Sequence, residues 1–216
     1  MKGKFIVFEG IDGSGKTTQL KLLGENLVSR GYRVLYTREP GGTRVGELVR
    51  KILLNPEFSE LVPRAEALLY AAARAQHVEQ VILPALKEGK IVLCDRFLDS
   101  SLAYQGFGRG VDIALLKQIN EPATAGLVPD LVLILDFCCE KGMDRISLSG
   151  RSIDRIEGER REFHSKVRSG YLILAQSDPH RYRVIDANRP VGKVCHDVFK
   201  AVEGVLDEVP AGNSRS

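Results

Sequence analysis

The stretch Gly10-Ile11-Asp12-Gly13-Ser14-Gly15-Lys16-Thr17 follows a short β-rich run, Phe5 to Phe8, and precedes leucines at helical spacing. Its pattern, G-x-x-x-x-G-K-[ST] between a strand and a helix, predicts a loop that binds the phosphates of a nucleoside triphosphate. The glycines let backbone amides turn toward phosphate oxygens, and the helix dipole favours their charge. We expect all eight residues to contact ATP, Lys16 to bridge its outer phosphates and Thr17 to bind Mg²⁺.

Outward from this loop, strands and helices alternate along the chain. Further apolar runs predict strands at Val34 to Tyr36, Ile91 to Cys94, Leu131 to Leu135 and Arg183 to Ile185. Helix formers with apolar stripes occupy Arg64 to Lys87, Glu159 to Gln176 and Val191 to Leu206. The alternation predicts an α/β protein with the P-loop nucleoside triphosphate hydrolase fold, in which helices cover both faces of a five-stranded parallel sheet.

The composition is that of one ordinary globular domain. The chain has 216 residues, of which 44% are hydrophobic and 27% charged, so we expect one domain over residues 1–208 and a frayed tail over 209–216. Arg38 to Thr43 and Ser147 to Gly158 fit no regular element, as is typical of loops that contact ligands. The net charge of +3 suits small anionic substrates and does not require a nucleic acid partner.

The cysteines and the apolar runs bear on the compartment. Cys94, Cys138, Cys139 and Cys195 have no metal-ligand spacing, and neighbours in sequence such as Cys138 and Cys139 suit a disulfide poorly. No secretion signal is visible, and no apolar run approaches the roughly 18 to 20 residues that span a bilayer. We therefore expect a cytoplasmic protein with no membrane partner.

A second candidate site follows the third predicted strand. Asp95 and Arg96 stand at its carboxyl end, the edge where open α/β sheets bind ligands. Asp95 is suited to hold Mg²⁺ through water, and the planar guanidinium of Arg96 is suited to clamp the phosphate of an acceptor. An ordinary ion pair at a strand end is the alternative. Asp136 also ends an apolar strand and is a rival partner for Mg²⁺.

Several motifs, taken in order, resemble bacterial thymidylate kinases. They are Phe8-Glu9-Gly10, Arg38-Glu39-Pro40-Gly41-Gly42-Thr43, Asp95-Arg96-Phe97, Ser100-Ser101, Ala103-Tyr104-Gln105, the residues Tyr70, Arg74 and Gln76, and Gly150-Arg151 with Asp154-Arg155-Ile156-Glu157. The similarity covers all but the last residues. It implies transfer of a phosphoryl group from ATP to dTMP in dTTP biosynthesis, with Mg²⁺ as cofactor, by a homodimer.

The resemblance also implies contacts with the acceptor nucleotide. Tyr70, where the family usually has Phe, would stack on thymine, and Arg74 would bind the carbonyl edge of the base. From the residues alone, a tyrosine packed in the core and a solvated arginine are the commoner interpretation. Tyr104 would fill the space that a ribose 2′-hydroxyl needs. The complete set of expected substrate contacts is Asp12, Arg38, Pro40, Tyr70, Arg74, Arg96, Ser101, Tyr104 and Gln105.

A catalytic arginine is the remaining expectation. Some members of the family carry one in the phosphate loop and others in a mobile lid over ATP, and position 13 here is glycine. The resemblance therefore implies a lid arginine in residues 147–158, with Arg151 first, Arg155 second and Arg145, on the preceding helix, third. A solvated helical face is the alternative. The expected catalytic group is Lys16, Asp95, Arg96 and Arg151.

Other classes of function remain open at this stage. A deoxynucleoside kinase would share the loop but accept an uncharged nucleoside, and another monophosphate kinase would differ in its base-binding residues. A regulatory GTPase would carry an Asn-Lys-x-Asp motif, which this sequence lacks. A structural nucleotide-binding protein would bind ATP without turnover. Assays with a panel of acceptors separate these classes.

Overall fold

The computed structural model describes residues 3–148, 150 and 152–206, apart from the side chain of Ile146. A single five-stranded sheet forms its centre, with the strand order β2-β3-β1-β4-β5. All four neighbouring pairs are parallel, which confirms the predicted sheet. The strands are β1 (Lys4–Glu9), β2 (Val34–Arg38), β3 (Ile91–Asp95), β4 (Leu131–Asp136) and β5 (Tyr182–Asp186).

Helices connect the strands. They are α1 (Lys16–Ser29), α2 (Arg44–Leu54), α3 (Pro63–His77), α4 (Leu83–Lys87), α5 (Leu98–Ser101), α6 (Ile113–Thr124), α7 (Cys139–Leu148), α8 (Arg161–Ser177) and α9 (Val191–Leu206), with π-helical segments at Val78–Ile82 and Leu102–Gly108. In the part of the chain that the structure describes, no helix combines the length and apolar composition needed to cross a membrane. The predicted tail lies outside the described residues.

Helices cover both faces of the sheet. Successive side chains of a strand point to opposite faces, and β1, β3 and β4 are buried at consecutive positions. The helices α1 and α9 contact each other as well as the sheet, whereas α8 contacts β4, β5 and the π-helical segment Leu102–Gly108. The core therefore consists of central strands between two helical layers, as the apolar runs predict.

Strand pairing brings the two predicted sites together. Residue Phe8 of β1 lies opposite Asp95 of β3, and the amide of Arg96 donates to the carbonyl of Phe8 at 2.9 Å. The phosphate loop begins two residues after Phe8. Since both strands are parallel and end at the same edge, Asp95 and Arg96 lie directly beside the loop.

The sequence pattern did not locate every helix. It gave no element for α2 or α6, although Thr43 caps α2 by accepting from the amide of Gly46 at 2.9 Å, and Asp112 caps α6 by accepting from Leu115 at 2.8 Å. The predicted helix from Arg64 to Lys87 is divided by the π-helical segment before α4. Pro84, in the first turn of α4, lacks the amide hydrogen that a continuous α-helix would use at this position.

Candidate active site

The predicted phosphate loop joins β1 to α1 and curls around its own lysine. Gly10, Gly13 and Gly15 have positive φ angles, a conformation that glycine adopts without a steric penalty. The Lys16 amine donates to the carbonyls of Gly10 at 3.0 Å and Ile11 at 2.9 Å. The lysine is therefore held inside the loop by backbone oxygens.

The charge of Lys16 is sensitive to its surroundings. Burial lowers the pKa of its amine to about 8, and the nearby positive charge of Arg96 acts in the same direction, while Asp95 and Asp12 oppose it. A bound phosphate would bring negative charge to the amine and favour its protonated form. Phosphate binding would therefore be coupled to protonation of Lys16.

Helix α7 packs directly against the phosphate loop. A Cβ atom added at Gly13 would lie 2.6 Å from the carbonyl oxygen of Gly142, and one added at Gly142 would lie 2.7 Å from the carbonyl oxygen of Asp12. Arg145, one turn further along α7, donates to the carbonyl of Gly13 at 3.1 Å and stacks 4.2 Å from the ring centre of Phe137. Two glycines thus allow the backbones of loop and helix to touch.

The oxygens expected to bind a metal lie together. The hydroxyl of Thr17 donates to a carboxylate oxygen of Asp95 at 2.8 Å. A hydroxyl and a carboxylate are oxygen ligands of the kind that Mg²⁺ prefers, so the pair fits the predicted cofactor. The rival Asp136 instead forms a two-point ion pair with Arg168, at 2.6 and 2.8 Å. The sequence gave Asp136 no cation nearby, but α8 supplies one.

Arg96 joins the loop to the rest of the site. Its guanidinium donates to Asp12 at 2.7 Å, to the carbonyl of Gly10 at 2.9 Å and to the Tyr104 hydroxyl at 3.0 Å. Tyr104 in turn donates to Asp12 at 2.8 Å. Burial raises the pKa of Asp12, but the charges of Arg96 and Lys16 outweigh this effect and hold the pKa below its ordinary value. The three side chains form a charged group held in one geometry.

Glu9 accepts hydrogen bonds that stabilise the turn containing Arg96. Its carboxylate is fully buried and accepts from the amides of Phe97 at 2.8 Å and Ser100 at 3.1 Å, and from the Tyr171 hydroxyl at 2.7 Å. Burial raises the pKa of Glu9 to about 7, and the negative charge of Asp99 adds to this effect. The bonds hold the turn in which Arg96 adopts a φ angle of 72°, which is strained for a residue with a side chain.

Two cavities meet at this group. The first, called the loop cleft, is lined by the phosphate loop together with Arg38, Asp95 and Arg145. The second, called the inner pocket, contains about 520 Å³ of empty space, part of it open to solvent. Its own lining is Pro40, Leu54, Tyr70, Arg74, Phe97, Ser100, Tyr104, Gln105 and Ile156. Both cavities share Asp12, Glu39, Arg50, Arg96 and Asp154.

Tyr70 and Arg74 both line the inner pocket, as their spacing on α3 predicts. Arg74 is only 1% exposed, so the alternative of a solvated arginine is wrong. Its guanidinium donates to Glu39 at 2.8 Å, to the carbonyl of Phe97 at 3.0 Å and to the hydroxyl of Ser101 at 3.1 Å, and it also bonds Asn120. These four partners fix the orientation of the buried guanidinium beside the pocket.

The other expected substrate residues fall into different places. Gln105 lines the inner pocket and donates to Glu66 at 2.8 Å. Ser101 is buried behind Arg74, while its neighbour Ser100 lines the pocket. Arg38 lies in the loop cleft, where it pairs with Glu47 at 3.0 Å and remains half exposed. The structure therefore separates Arg38 from the base-facing residues.

Sequence reasoning missed residues that line both cavities. Arg50, on α2, donates to the carbonyl of Pro40 at 2.9 Å, and Asp154 accepts from the amides of Ile156 and Glu157 at 2.9 Å. The apolar positions Val45, Leu48 and Ile52 would have indicated helix α2 and placed Arg50 on its opposite side. Asp154 belongs to the motif Asp154-Arg155-Ile156-Glu157, but the resemblance implied no role for its side chain.

Comparisons with known proteins agree with this geometry. The family model described as thymidylate kinase matches residues 8–198. A curated thymidylate kinase of Pelotomaculum thermopropionicum is 70% identical over the full length of both chains. That of Syntrophotalea carbinolica is 49% identical over 96% of this chain and 98% of its own.

The chain belongs to the thymidylate kinase family. A crystal structure of thymidylate kinase from Ehrlichia chaffeensis superposes with a TM-score of 0.75 at 37% identity, and the match covers 94% of this chain and all of the other. These findings confirm the predicted resemblance, the P-loop fold and the class of nucleoside monophosphate kinase. The alternatives of a regulatory GTPase and of an inactive structural protein are therefore wrong.

For a thymidylate kinase, the position of the lid arginine matters, and the structure locates two of the three candidates. Arg151, the first choice, lies outside the described residues. Arg155 donates to Glu66 at 2.6 Å and to the carbonyl of Leu53 at 2.9 Å, on the side of α2 and α3. Arg145, the third choice, lines the loop cleft beside Gly13. The positions of the two residues therefore do not support ranking Arg155 above Arg145.

Proposed function

We propose that this chain transfers the terminal phosphoryl group of ATP to dTMP, with ATP in the loop cleft and dTMP in the inner pocket. The observation that carries the proposal is the shared boundary of the two cavities. Arg96 and Asp12 line both, next to Lys16. A phosphate held by the loop and a second phosphate held by Arg96 would therefore meet at one place, as in-line transfer requires.

The inner pocket has the groups that a pyrimidine nucleotide needs. Tyr70 offers a ring for stacking, and Arg74 offers a guanidinium edge fixed by Glu39. The Tyr104 ring packs beside Arg96 at 4.9 Å, where it would restrict the space around the sugar. We assign the acceptor phosphate to Arg96 and Arg50, because both residues line the shared boundary and a guanidinium group can bind phosphate oxygens in pairs.

Thr17 and Asp95 would hold Mg²⁺ at the phosphate loop. The ion would neutralise phosphate charge during transfer. Lys16 would bind the outer phosphates of ATP, and the backbone amides of the loop would orient them. No side chain needs to form a covalent intermediate, since transfer between two positioned phosphates depends on orientation and charge.

A panel of acceptors tests the proposal. We expect dTMP to give the highest kcat/KM among dTMP, dUMP, dCMP, dGMP, dAMP, UMP and thymidine. The advantage over dUMP should be about 10- to 200-fold, because one methyl group in an apolar pocket is worth that much. A preference for thymidine would replace this function with that of a deoxynucleoside kinase. A preference for another monophosphate would overturn the assignment of the base.

We also propose that two copies pair through α2 and α3. Val45, Leu48 and Ile52 lie on one side of α2 and are 41 to 55% exposed, and Leu68 of α3 is 51% exposed. Apolar side chains at such spacing form a continuous stripe suited to an interface. Light scattering should give twice the chain mass for the wild type and the chain mass for Leu48→Glu; a monomeric wild type would refute the pairing.

The location that fits these proposals is the cytoplasm. All four cysteines are free thiols, a state that a reducing compartment maintains.

A further inference from the structure

The carboxylate of Glu66, in the first turn of α3, connects the inner pocket to residues 152–158, called the charged segment below. It is fully buried, accepts from Gln105 at 2.8 Å and from Arg155 at 2.6 Å, and lies 3.4 Å from the guanidinium of Arg109. Gln105 lines the inner pocket, and Arg155 belongs to the charged segment. One buried acid therefore contacts both regions.

Arg155 is fixed at three points on the same side of the protein. Besides Glu66, its side chain donates to the carbonyl of Leu53 at 2.9 Å, and its amide donates to the carbonyl of Leu54 at 3.1 Å. Its neighbours on either side, Asp154 and Ile156, line the inner pocket. The anchor thus lies between two residues of the pocket wall.

Arg155 can be replaced without leaving the buried carboxylate of Glu66 unpaired. Glu66 is paired with Arg109 as well as with Arg155, and Arg109 is held in addition by Glu159 and by the ring of Phe163 at 4.8 Å. Removal of Arg155 therefore leaves the buried carboxylate with a cationic partner. A buried acid that loses its only partner destabilises a protein strongly, but this one would keep a partner.

We propose that Glu66 and Arg155 form a latch that holds Asp154 and Ile156 as the wall of the dTMP pocket, and that both are positioning residues. The proposal rests on the assignment of the inner pocket to dTMP. It gives Arg155 a part in holding the acceptor, distinct from the charge stabilisation expected of a lid arginine. Through Gln105, the same carboxylate ties the position of the charged segment to the shape of the pocket.

Steady-state kinetics of Arg155→Met, Glu66→Gln and the double variant test the latch. Because a hydrogen bond to a charged group is lost, we expect each single variant to raise the KM for dTMP about tenfold or more. The KM for ATP should change less than about twofold, and kcat less than about threefold, since the phosphate loop and the pair of Thr17 and Asp95 are untouched. The double variant should be no worse than the weaker-binding single variant, because both remove the same contact.

The matched control is Arg33→Met, which removes an exposed ion pair with Glu88 and should leave all constants unchanged. A large fall in kcat for Arg155→Met with an unchanged KM for dTMP would overturn the latch and make Arg155 the charge-stabilising arginine. Constants equal to those of the wild type would also overturn it, as would additive effects in the double variant.

Folding and function are checked separately. Arg155→Met should retain the melting temperature of the wild type within a few degrees, so it remains informative even if Glu66→Gln fails to fold. Calorimetric titration with dTMP alone should show the same loss of affinity without turnover. A wild type that neither binds nor phosphorylates dTMP would refute the assignment of the pocket and with it the latch, whereas normal wild-type activity with unchanged variants refutes the latch alone.

Discussion

The loop cleft and the inner pocket share a boundary but are built in different ways. The cleft depends mainly on consecutive residues, Gly10 to Thr17, whose backbone amides and one lysine are proposed to bind ATP. The inner pocket takes side chains from Asp12 to Ile156 and holds them by buried ion pairs such as Arg74 with Glu39. One region obtains its geometry from local backbone conformation, and the other obtains it from tertiary packing.

Because of this difference, substitutions in the loop cleft should mainly lower activity, whereas substitutions in the inner pocket should also lower stability. In the loop cleft, removal of Lys16 leaves no buried charge unpaired, because its amine is bonded to backbone carbonyls and Asp12 keeps Arg96 as its partner. In the inner pocket, lining residues such as Arg74 and Glu39 are also partners in a buried ion pair, so their removal affects the fold as well. Substitutions on the two sides should therefore differ in which property they change.

Replacement of Lys16 should have the largest effect on turnover. Lys16→Ala removes the cation from the loop, so we expect turnover below detection, a loss of more than about 10³-fold. Far-UV circular dichroism and the melting temperature should stay near those of the wild type. Lys117→Ala, on the exposed side of α6, is the control and should be fully active. Substantial turnover by Lys16→Ala would remove the loop from the mechanism.

Arg151→Ala should lower kcat about 10³-fold and leave the KM for dTMP nearly unchanged, because the resemblance assigns this arginine to charge that develops during transfer. Steady-state kinetics with both substrates measure the two constants. Arg161→Ala, an exposed arginine of α8, serves as the control. An unchanged kcat would transfer the assignment to Arg145, which lines the loop cleft, and a raised KM for dTMP would place Arg151 at the acceptor.

Arg74→Met tests whether removal of a side chain that lines the inner pocket lowers stability. It leaves Glu39 with His77, at 3.0 Å, as its remaining partner, and it removes the bonds to Phe97 and Ser101. We expect the free energy of unfolding in urea to fall by about 3 to 5 kcal/mol, the usual effect of breaking a buried pair. Stability equal to that of Lys16→Ala would show that the two regions do not differ as described.

The smallest predicted effect is the dependence of stability on pH that Glu9 causes. Burial raises the pKa of its carboxyl from 4.5 to about 7, so between these values the folded protein keeps a proton that the unfolded chain releases. Stability relative to Glu9→Gln should therefore fall as the pH rises from 4.5 to 7, by at most about 3 kcal/mol, and then stay level. Urea unfolding of both proteins at several pH values measures the difference. A constant difference across this window would contradict the raised pKa.

The cleft was predictable from the sequence because its signals are local. A glycine pattern between a strand and a helix specifies the loop, and apolar runs specify the strands whose parallel pairing brings Asp95 and Arg96 beside it. Only the family resemblance pointed to Tyr70 and Arg74, since an aromatic ring and an arginine four residues apart occur on many amphipathic helices.

The contacts that hold the pocket were beyond local patterns. The partners of Glu66 are 39, 43 and 89 residues away in the chain, and Arg168 lies 32 residues from Asp136. Spacing cannot indicate such pairs, because they depend on how α3, α8 and the charged segment pack. The same limit explains why Arg50 and Glu9 received no role, although Glu9 stands next to the loop.

The contact between Gly13 and Gly142 restricts how this enzyme could evolve. An arginine at position 13 would need a left-handed backbone and would press its Cβ to 2.6 Å from the carbonyl of α7. The change to a loop arginine is therefore closed to a single substitution and requires helix α7 to move first.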